Sequence, residues 1–167
     1  MAQPQEQRFA CDAMCGGLAR WLRALGYDTF YTPAIEDGDL VRVAEREHRI
    51  LITSDGKLLE RKLITSGQVA ALRLPHGLKL LDQLRFVTNA LKLPVLDEPR
   101  CMTCNGRLIT VARDEVGDAV PARSLIWATR FYRCTSCGRV FWNGSHWRRI
   151  ERVRDEVRKS TPGHPSG

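Results

Sequence analysis

The sequence predicts an α/β protein in which a parallel sheet flanked by helices is followed by a small β-rich module. Two patterns carry this prediction. Short apolar segments alternate with amphipathic helical segments over residues 8–92, as in sheets built from β–α–β units. Two Cys-x-x-Cys pairs then stand on either side of a strand-rich segment, which is typical of a module held together by a metal.

The alternation of elements also sets the order of the predicted domains. The first helix carries apolar residues on one face, and Arg20 and Arg23 are expected to share its other face. Strands are predicted at 8–11, 27–31, 50–53 and 69–72, and helices at 16–25, 37–46, 57–66 and 78–91. The predicted domains are a sheet domain at 8–92, a linker at 93–99, a cysteine module at 100–148, a basic helix at 149–159 and a disordered tail at 160–167.

Composition and charge narrow the class of protein. Hydrophobic residues make up 43% of the chain, enough for a packed core, and no apolar run approaches the roughly 20 residues that cross a bilayer. The polar start lacks a signal-peptide pattern, so we expect a soluble, cytoplasmic protein with no membrane partner. Residues 1–97 hold 13 basic against 12 acidic residues, and residues 98–167 hold 13 against 7. This excess favours nucleic acid as a partner over a merely solubilising charge.

The two Cys-x-x-Cys pairs predict one structural zinc ion. The pairs Cys101/Cys104 and Cys134/Cys137 are separated by 29 residues. Each pair can turn two thiolates toward one ion, and four thiolates close a tetrahedral site with no open position for catalysis. The strands predicted beside the pairs make the module a zinc ribbon, which chelation should unfold. A redox dithiol and coincidence are the weaker alternatives, with His146 as a competing ligand.

Three aspartates are candidates for a catalytic metal site. Asp12 and Asp55 follow predicted strands, and Asp37 opens the helix that leads into the strand at 50–53. Ligands of open α/β sheets bind at the carboxyl ends of strands, and acids grouped there repel one another unless a cation lies among them. Oxygen ligands with water access suit Mg²⁺ or Mn²⁺, which activate water in phosphodiester cleavage. Each aspartate also has an ordinary interpretation as a helix cap or a turn residue.

Four sequence blocks resemble one known family. They are 9–28, with its Gly-Gly-Leu-Ala-Arg-Trp-Leu-Arg core, then 37–55, 100–105 and 134–147. In order and spacing they are similar to the PIN-like ribonuclease domain family named for the C-terminal region of the Mut-seven exoribonuclease, with its appended zinc ribbon. The resemblance implies a PIN-like sheet with a metal-dependent acidic site. In that site Asp12 matches the first acid, Asp37 the acid opening the matching helix and Asp55 the acid after the Thr-x-Asp strand.

The chain departs from the family pattern at this acidic site. Many relatives carry arginine where this chain has Ser54, so a phosphate contact is expected to be missing there. The further acid of the PIN pattern has no obvious counterpart, with Glu36 and Asp39 as the nearest candidates and Asp82 as a weaker one. The site is therefore expected to hold its metal loosely.

The leading hypothesis is a metal-dependent ribonuclease whose zinc ribbon helps to bind RNA, single-stranded or structured. Trp142 and Trp147 either stack on unpaired bases or pack within the ribbon. The alternatives are a non-catalytic RNA- or ribosome-binding protein with a vestigial acidic site, and a protein-binding zinc adaptor. Expected nucleic-acid contacts, each of which could equally be an ordinary surface residue, are Arg20, Arg23, Lys57, Arg61, Arg148 and Arg149.

Overall fold

The structure is a computed structural model that describes residues 7–160. Its elements alternate through residue 90 and then give way to an antiparallel sheet and a long final helix. The strands are β1 (Phe9–Cys11), β2 (Thr29–Phe30), β3 (Ile50–Thr53), β4 (Ala71–Arg73), β5 (Leu108–Val111), β6 (Phe131–Cys134) and β7 (Val140–Trp142). The helices are α1 (Gly16–Ala24), α2 (Asp37–Arg46), α3 (Gly56–Leu59), α4 (Lys62–Thr65), α5 (Leu80–Ala90), α6 (Ala122–Trp127) and α7 (Ser145–Ser160).

The first sheet is parallel throughout, with the strand order β2-β1-β3-β4. The chain moves from β1 to one side at β2 and then crosses β1 to reach β3 on the other side. Right-handed crossovers in opposite directions place their helices on opposite faces. Leu22 of α1 and Leu84 of α5 accordingly share one core cluster, while Leu40 of α2 and Leu58 of α3 belong to another. The predicted α/β fold is confirmed, and its topological switch point lies between β1 and β3.

The prediction of one helix at 57–66 is wrong in detail, because this segment forms the two short helices α3 and α4. Arg61 adopts an extended conformation, with φ −60° and ψ 137°, and the helical hydrogen bonds are interrupted there. The next strand begins at Ala71 rather than at residue 69, although Val69 is still buried in the core.

The second sheet is the predicted ribbon, with antiparallel strands in the order β5-β6-β7. In its register Val111 lies opposite Phe131, which in turn lies opposite Trp142. The loop between β5 and β6 folds into two 3-10 turns and α6, elements that the sequence pattern did not reveal. Val111, Phe131 and Val120 from this loop pack together as a small core of the ribbon.

The final helix α7 begins at Ser145, four residues before the basic helix predicted from residue 149. Its residues Trp147, Ile150, Val153 and Val157 are buried in the same cluster as the interior of the sheet domain. Because one apolar core extends through both predicted domains, the ribbon and the sheet domain are packed as one body. No helix within residues 7–160 is long and apolar enough to span a membrane.

The predicted linker at 93–99 is held against the sheet domain. The Tyr27 hydroxyl donates to the carbonyl of Pro94 at 2.6 Å, and the N–H of Leu96 donates to the carbonyl of Leu25 at 3.0 Å. Leu93 is fully buried. The predicted tail begins at Ser160, which ends α7, and its other residues lie outside the described part of the chain.

Candidate active site and metal centre

Asp12 lies at the carboxyl end of β1, where its backbone N–H donates to the carbonyl of Ile52 on β3 at 3.3 Å. Its side chain is buried, with 6% of the residue exposed. One carboxylate oxygen accepts from the N–H of Met14 at 2.8 Å and caps the 3-10 turn that leads into α1. The capping role anticipated for Asp12 is therefore present, and it fixes the carboxylate at the switch point of the sheet.

Thr53, the last residue of β3, joins Asp12 to Asp55. Its fully buried hydroxyl donates to the second carboxylate oxygen of Asp12 and accepts from the backbone N–H of Asp55 at 2.9 Å. The carboxylate of Asp55 in turn accepts from the N–H of Lys57 at 2.8 Å and caps α3. Thr53 was missed by the sequence analysis, where the only sign of it was a hydroxyl residue ending a strand two positions before an acid.

Asp37 is the first residue of α2, as predicted, and its carboxylate lies 3.8 Å from the guanidinium of Arg61. Within residues 7–160, three or more potential ligand atoms of His, Cys, Asp or Glu lie within 4.8 Å of one another only at the four cysteines. Asp12, Asp37 and Asp55 are therefore not drawn together that closely. Mg²⁺ keeps several waters and can be bound through one or two carboxylates, and the donor groups of Asp12 and Asp55 are of that kind.

The candidates for a fourth acid have other partners or positions. Asp39 pairs with Arg42 at 2.6 Å, and Asp82 pairs with Arg85 at 3.2 Å, each within its own helix. Glu36 occupies the position that caps α2 without a side-chain capping bond.

Two thiols lie beside the acidic edge. Burial, reinforced by the nearby Cys15 and Asp12, raises the pKa of Cys11 well above its usual value. Burial and the neighbouring Asp12 raise the pKa of Cys15 to about 12. Both thiols are therefore protonated at neutral pH, as expected for buried cysteines without a nucleophilic role.

The four predicted ligands, which we call the cysteine cluster, come together at the base of the ribbon. The sulfurs of Cys101 and Cys137 are 3.9 Å apart, and those of Cys104 and Cys134 are 3.4 Å apart. Four sulfurs at about 2.3 Å from a tetrahedral ion lie about 3.8 Å from one another, so the cluster fits a metal such as zinc. His146 does not belong to it and lies exposed in the first turn of α7.

The turns around the cysteine cluster depend on their small residues. A Cβ at Gly106 would lie 2.6 Å from the sulfur of Cys134, so the close approach requires glycine. Asn105 and Gly138, which follow the two pairs, both have φ of +71°, a conformation that asparagine and glycine tolerate better than other residues. Burial raises the pKa of Cys134, but the N–H groups of Cys137 and Ser136 outweigh it and lower that pKa to about 7. This thiol is thus readier to ionise than those of Cys101 and Cys104, whose pKa values burial raises.

Arg23 does not share an exposed face with Arg20, so that prediction is wrong. The Arg23 side chain is buried, and its guanidinium donates to the carbonyls of Thr29, Met102 and Thr103 at 3.0–3.1 Å. A guanidinium can be buried when carbonyls satisfy its N–H groups, which the amphipathic pattern of α1 does not reveal. Arg23 therefore ties the sheet domain to the first cysteine turn, and we withdraw it as an RNA contact.

A second tie joins the same two regions. Asp28 accepts from Arg49 at 2.7 Å and from the side-chain amide of Asn105 at 2.8 Å. The carbonyl oxygen of the same amide accepts from the N–H of Thr29 at 3.0 Å. Residues beside β2 and the residue after the first cysteine pair therefore share one hydrogen-bonded junction.

The basic helix contains both structural and exposed arginines. Arg154 is buried and donates to the carbonyls of Ala24, Leu96 and Asp97. Trp147 is also buried and stacks on Tyr132 with ring centroids 4.7 Å apart. Of the two roles considered for this tryptophan, stacking on an RNA base or packing, the structure therefore shows packing. The predicted contact residues that remain exposed are Arg20, Lys57, Arg61, Arg148 and Arg149.

An α/β domain with acids at the switch point of its sheet, joined to a four-cysteine ribbon, is the class of protein that this fold and site define. The chain belongs to the Mut7-C RNAse domain family, whose model matches residues 7–154. It is also 26% identical over 231 residues to the "Exonuclease mut-7 homolog" of Homo sapiens. That alignment covers 93% of this chain and 26% of the relative, so the chain spans about a quarter of the relative's length. No solved structure matches the chain.

Proposed function

We propose that this protein is a metal-dependent ribonuclease. Membership of an RNase domain family and similarity to an exonuclease homologue support a nuclease-type function. The observation that supports the finer proposal is the hydroxyl of Thr53 at the switch point of the sheet, which donates to the carboxylate of Asp12 and accepts from the backbone N–H of Asp55. Ligands of such sheets bind in that crevice.

Asp12 and Asp55 would hold Mg²⁺ or Mn²⁺, which when bound supplies an activated water and positive charge beside the scissile phosphate. Thr53 and the N–H of Met14 fix the Asp12 carboxylate, and each of its oxygens keeps lone pairs for a further ligand. Asp37 is the third candidate ligand. Its ion pair with Arg61 is half-exposed and weak, so either partner is free to turn toward a metal or a phosphate.

We further propose that the cysteine cluster holds a structural zinc ion and that the ribbon with α7 helps to bind RNA. Arg148, Arg149 and Arg152 are exposed on α7, and within residues 7–160 their side chains form no ion pair. The side chain of Lys57, two residues after Asp55, is likewise exposed and forms no ion pair within the described residues. Cations of this kind neutralise backbone phosphates, so RNA binding should weaken steeply with salt.

The test is cleavage of a labelled single-stranded RNA by the zinc-loaded protein with Mn²⁺. We expect Asp55→Ala and Asp12→Asn to lose activity by at least roughly 100-fold, since each removes a metal ligand. Asp118→Asn, which changes an exposed acid of the ribbon, is the matched control and should keep wild-type activity. Equal background cleavage by the wild type and both variants would sink the proposal.

A second candidate function is RNA or ribosome binding without catalysis. It is favoured by the spread of the three acids, which do not all lie within 4.8 Å of one another. RNA binding that persists in the wild type and in Asp55→Ala, with no turnover in either, would support this alternative.

A further inference from the structure

A small cavity of about 210 Å³ opens between α1 and the first turns of α7. Three of its lining residues carry basic side chains, Arg20 from α1 and His146 and Arg149 from α7, and none is acidic. The rest of the lining consists of Gly17, Trp21, Leu80, Met102 and Ile150. The basic groups therefore meet against a largely apolar wall that both halves of the protein build.

These basic side chains are not neutralised by the protein. Within residues 7–160, no hydrogen bond or ion pair occupies the side chains of Arg20, His146 or Arg149. The 16-residue helix α7 also directs the positive end of its dipole toward this region, because His146 lies in its first turn. Basic groups gathered without a counter-charge favour the binding of an anion.

A larger cavity, of about 730 Å³, provides the contrast. It too is lined by arginines, but acids accompany them. Arg130 pairs with Glu151 at 3.4 Å, and Arg158 pairs with Asp155 at 2.8 Å. Its charges are therefore compensated within the protein, whereas those of the smaller cavity are left for a ligand.

The smaller cavity also lies close to the acidic edge along the chain. Gly17 in its lining is five residues after Asp12, and the 3-10 turn capped by Asp12 leads directly into α1. Met102 in its lining lies between the ligands Cys101 and Cys104, and its carbonyl accepts from Arg23 at 3.1 Å. The cavity thus lies on the helix that follows the acidic edge and beside the first cysteine turn.

We propose that Arg20, His146 and Arg149 form a subsite for a backbone phosphate of the RNA, beside the phosphate that meets the acidic edge. The proposal rests on the proposed ribonuclease function for the identity of its ligand. A guanidinium presents a fork of N–H donors that matches phosphate oxygens, and an imidazole N–H adds a further donor. This subsite makes the ribbon's helix a direct part of the substrate path.

The test compares two exposed arginines. Arg149 and Arg123, which lies on α6, are both exposed and form no ion pair within residues 7–160, but Arg149 lines the cavity and Arg123 does not. RNA binding is measured by fluorescence anisotropy with single-stranded RNA at about 0.1 M salt. We expect Arg149→Ala to weaken binding about five- to tenfold and Arg123→Ala by less than about twofold. Equal losses from the two would overturn the subsite.

Two further variants sharpen the result. The double variant Arg20→Ala/Arg149→Ala should lose less affinity for RNA than the product of the two single losses, because both side chains contact one phosphate. Fully multiplicative effects contradict a shared ligand. Arg149→Lys should recover part of the binding, and each variant is accepted only with the wild-type zinc content and melting temperature.

The subsite and the ribonuclease proposal can fail separately, because binding is measured in protein that carries Asp12→Asn and does not depend on turnover. If the wild type does not cleave RNA but Arg149→Ala specifically weakens binding, the subsite is supported and the ribonuclease proposal is contradicted. If the wild type cleaves RNA but Arg20→Ala and Arg149→Ala keep wild-type affinity and rate, the ribonuclease proposal is supported and the subsite is contradicted.

Discussion

The cysteine cluster and the acidic edge differ in how the chain assembles them. The four cysteines come from two tight turns and bring their sulfurs within 4.8 Å of one another. The acids come from the ends of separate elements, with Asp12 and Asp55 joined by Thr53 and Asp37 turned toward Arg61. The first set presents four closely spaced sulfurs that fit a metal such as zinc, whereas Asp12 and Asp55 are held by the protein's own hydrogen bonds.

This difference predicts how a metal at each site would affect stability and activity. A metal bound at the cysteine cluster would contribute to folding, because the ribbon has only a small core of its own. A metal bound at the acidic edge would instead meet a carboxylate that Thr53 and Met14 already hold in place. Binding there should therefore change activity far more than stability.

The largest expected effect comes from removing zinc. Chelation should lower the melting temperature by more than about 10 °C, in a single transition because one core joins both regions. Withholding Mg²⁺ and Mn²⁺ should shift the melting temperature by less than about 2 °C. Circular dichroism, with metal analysis of the same samples, measures both.

Substitutions in the second cysteine turn distinguish the loss of a zinc ligand from a change elsewhere in the turn. Cys134→Ser should lose the zinc, while Ser136→Ala, which alters an exposed neighbour in the same turn, should keep about one ion per chain. Purified wild-type protein with far less than one zinc per chain and free thiols contradicts the structural role of the metal.

A smaller effect is expected from Arg154→Ala. The change leaves the carbonyls of Ala24, Leu96 and Asp97 without their donor, so we expect a loss of about 3 kcal/mol in the free energy of unfolding. Because α7 packs on the core shared by both regions, cleavage and zinc retention on heating should decline together. Arg152→Ala, an exposed arginine of the same helix, should stay within about 0.5 kcal/mol in urea denaturation.

Thr53→Val tests the acidic edge by itself. It keeps the shape of the side chain but removes the hydroxyl between Asp12 and Asp55, at a cost of about 1–2 kcal/mol in unfolding free energy. Cleavage should fall about tenfold with unchanged zinc content, because the positioning of a ligand is lost rather than the ligand itself. Thr53→Ser should restore most of the cleavage rate. If Thr53→Val is as active as the wild type, Thr53 does not position the acids.

The smallest effect is expected at the junction between the regions. Burial would raise the pKa of Asp28, but hydrogen bonds from Arg49 and Asn105 outweigh it and hold that pKa below its usual value. The stabilisation is therefore complete above the unfolded-state pKa and is lost as the pH falls through the lowered pKa of the folded state. Asp28→Asn should cost about 1 kcal/mol at pH 7. Urea denaturation should show this difference shrinking below about pH 4, and a difference that is constant with pH contradicts the charge effect.

Features encoded by neighbours in the chain were predicted from the sequence. The spacing of Cys101, Cys104, Cys134 and Cys137 predicted their cluster, and apolar alternation predicted a parallel sheet with Asp12 and Asp55 at its edge. Motif order predicted the family, which the match over residues 7–154 confirms. These features depend on local geometry. Two residues between cysteines allow both sulfurs to face one ion, and an acid directly after a strand lies at the edge of the sheet, whatever the rest of the chain does.

Only the tertiary structure decided which polar groups are structural. Arg23 and Arg154 look like surface cations in the sequence, yet both are buried against carbonyls from other segments. Arg20 and Arg149, far apart in sequence, line one uncompensated cavity. The cost of burying a charge depends on which distant groups receive its hydrogen bonds, and no periodicity along the chain records those partners.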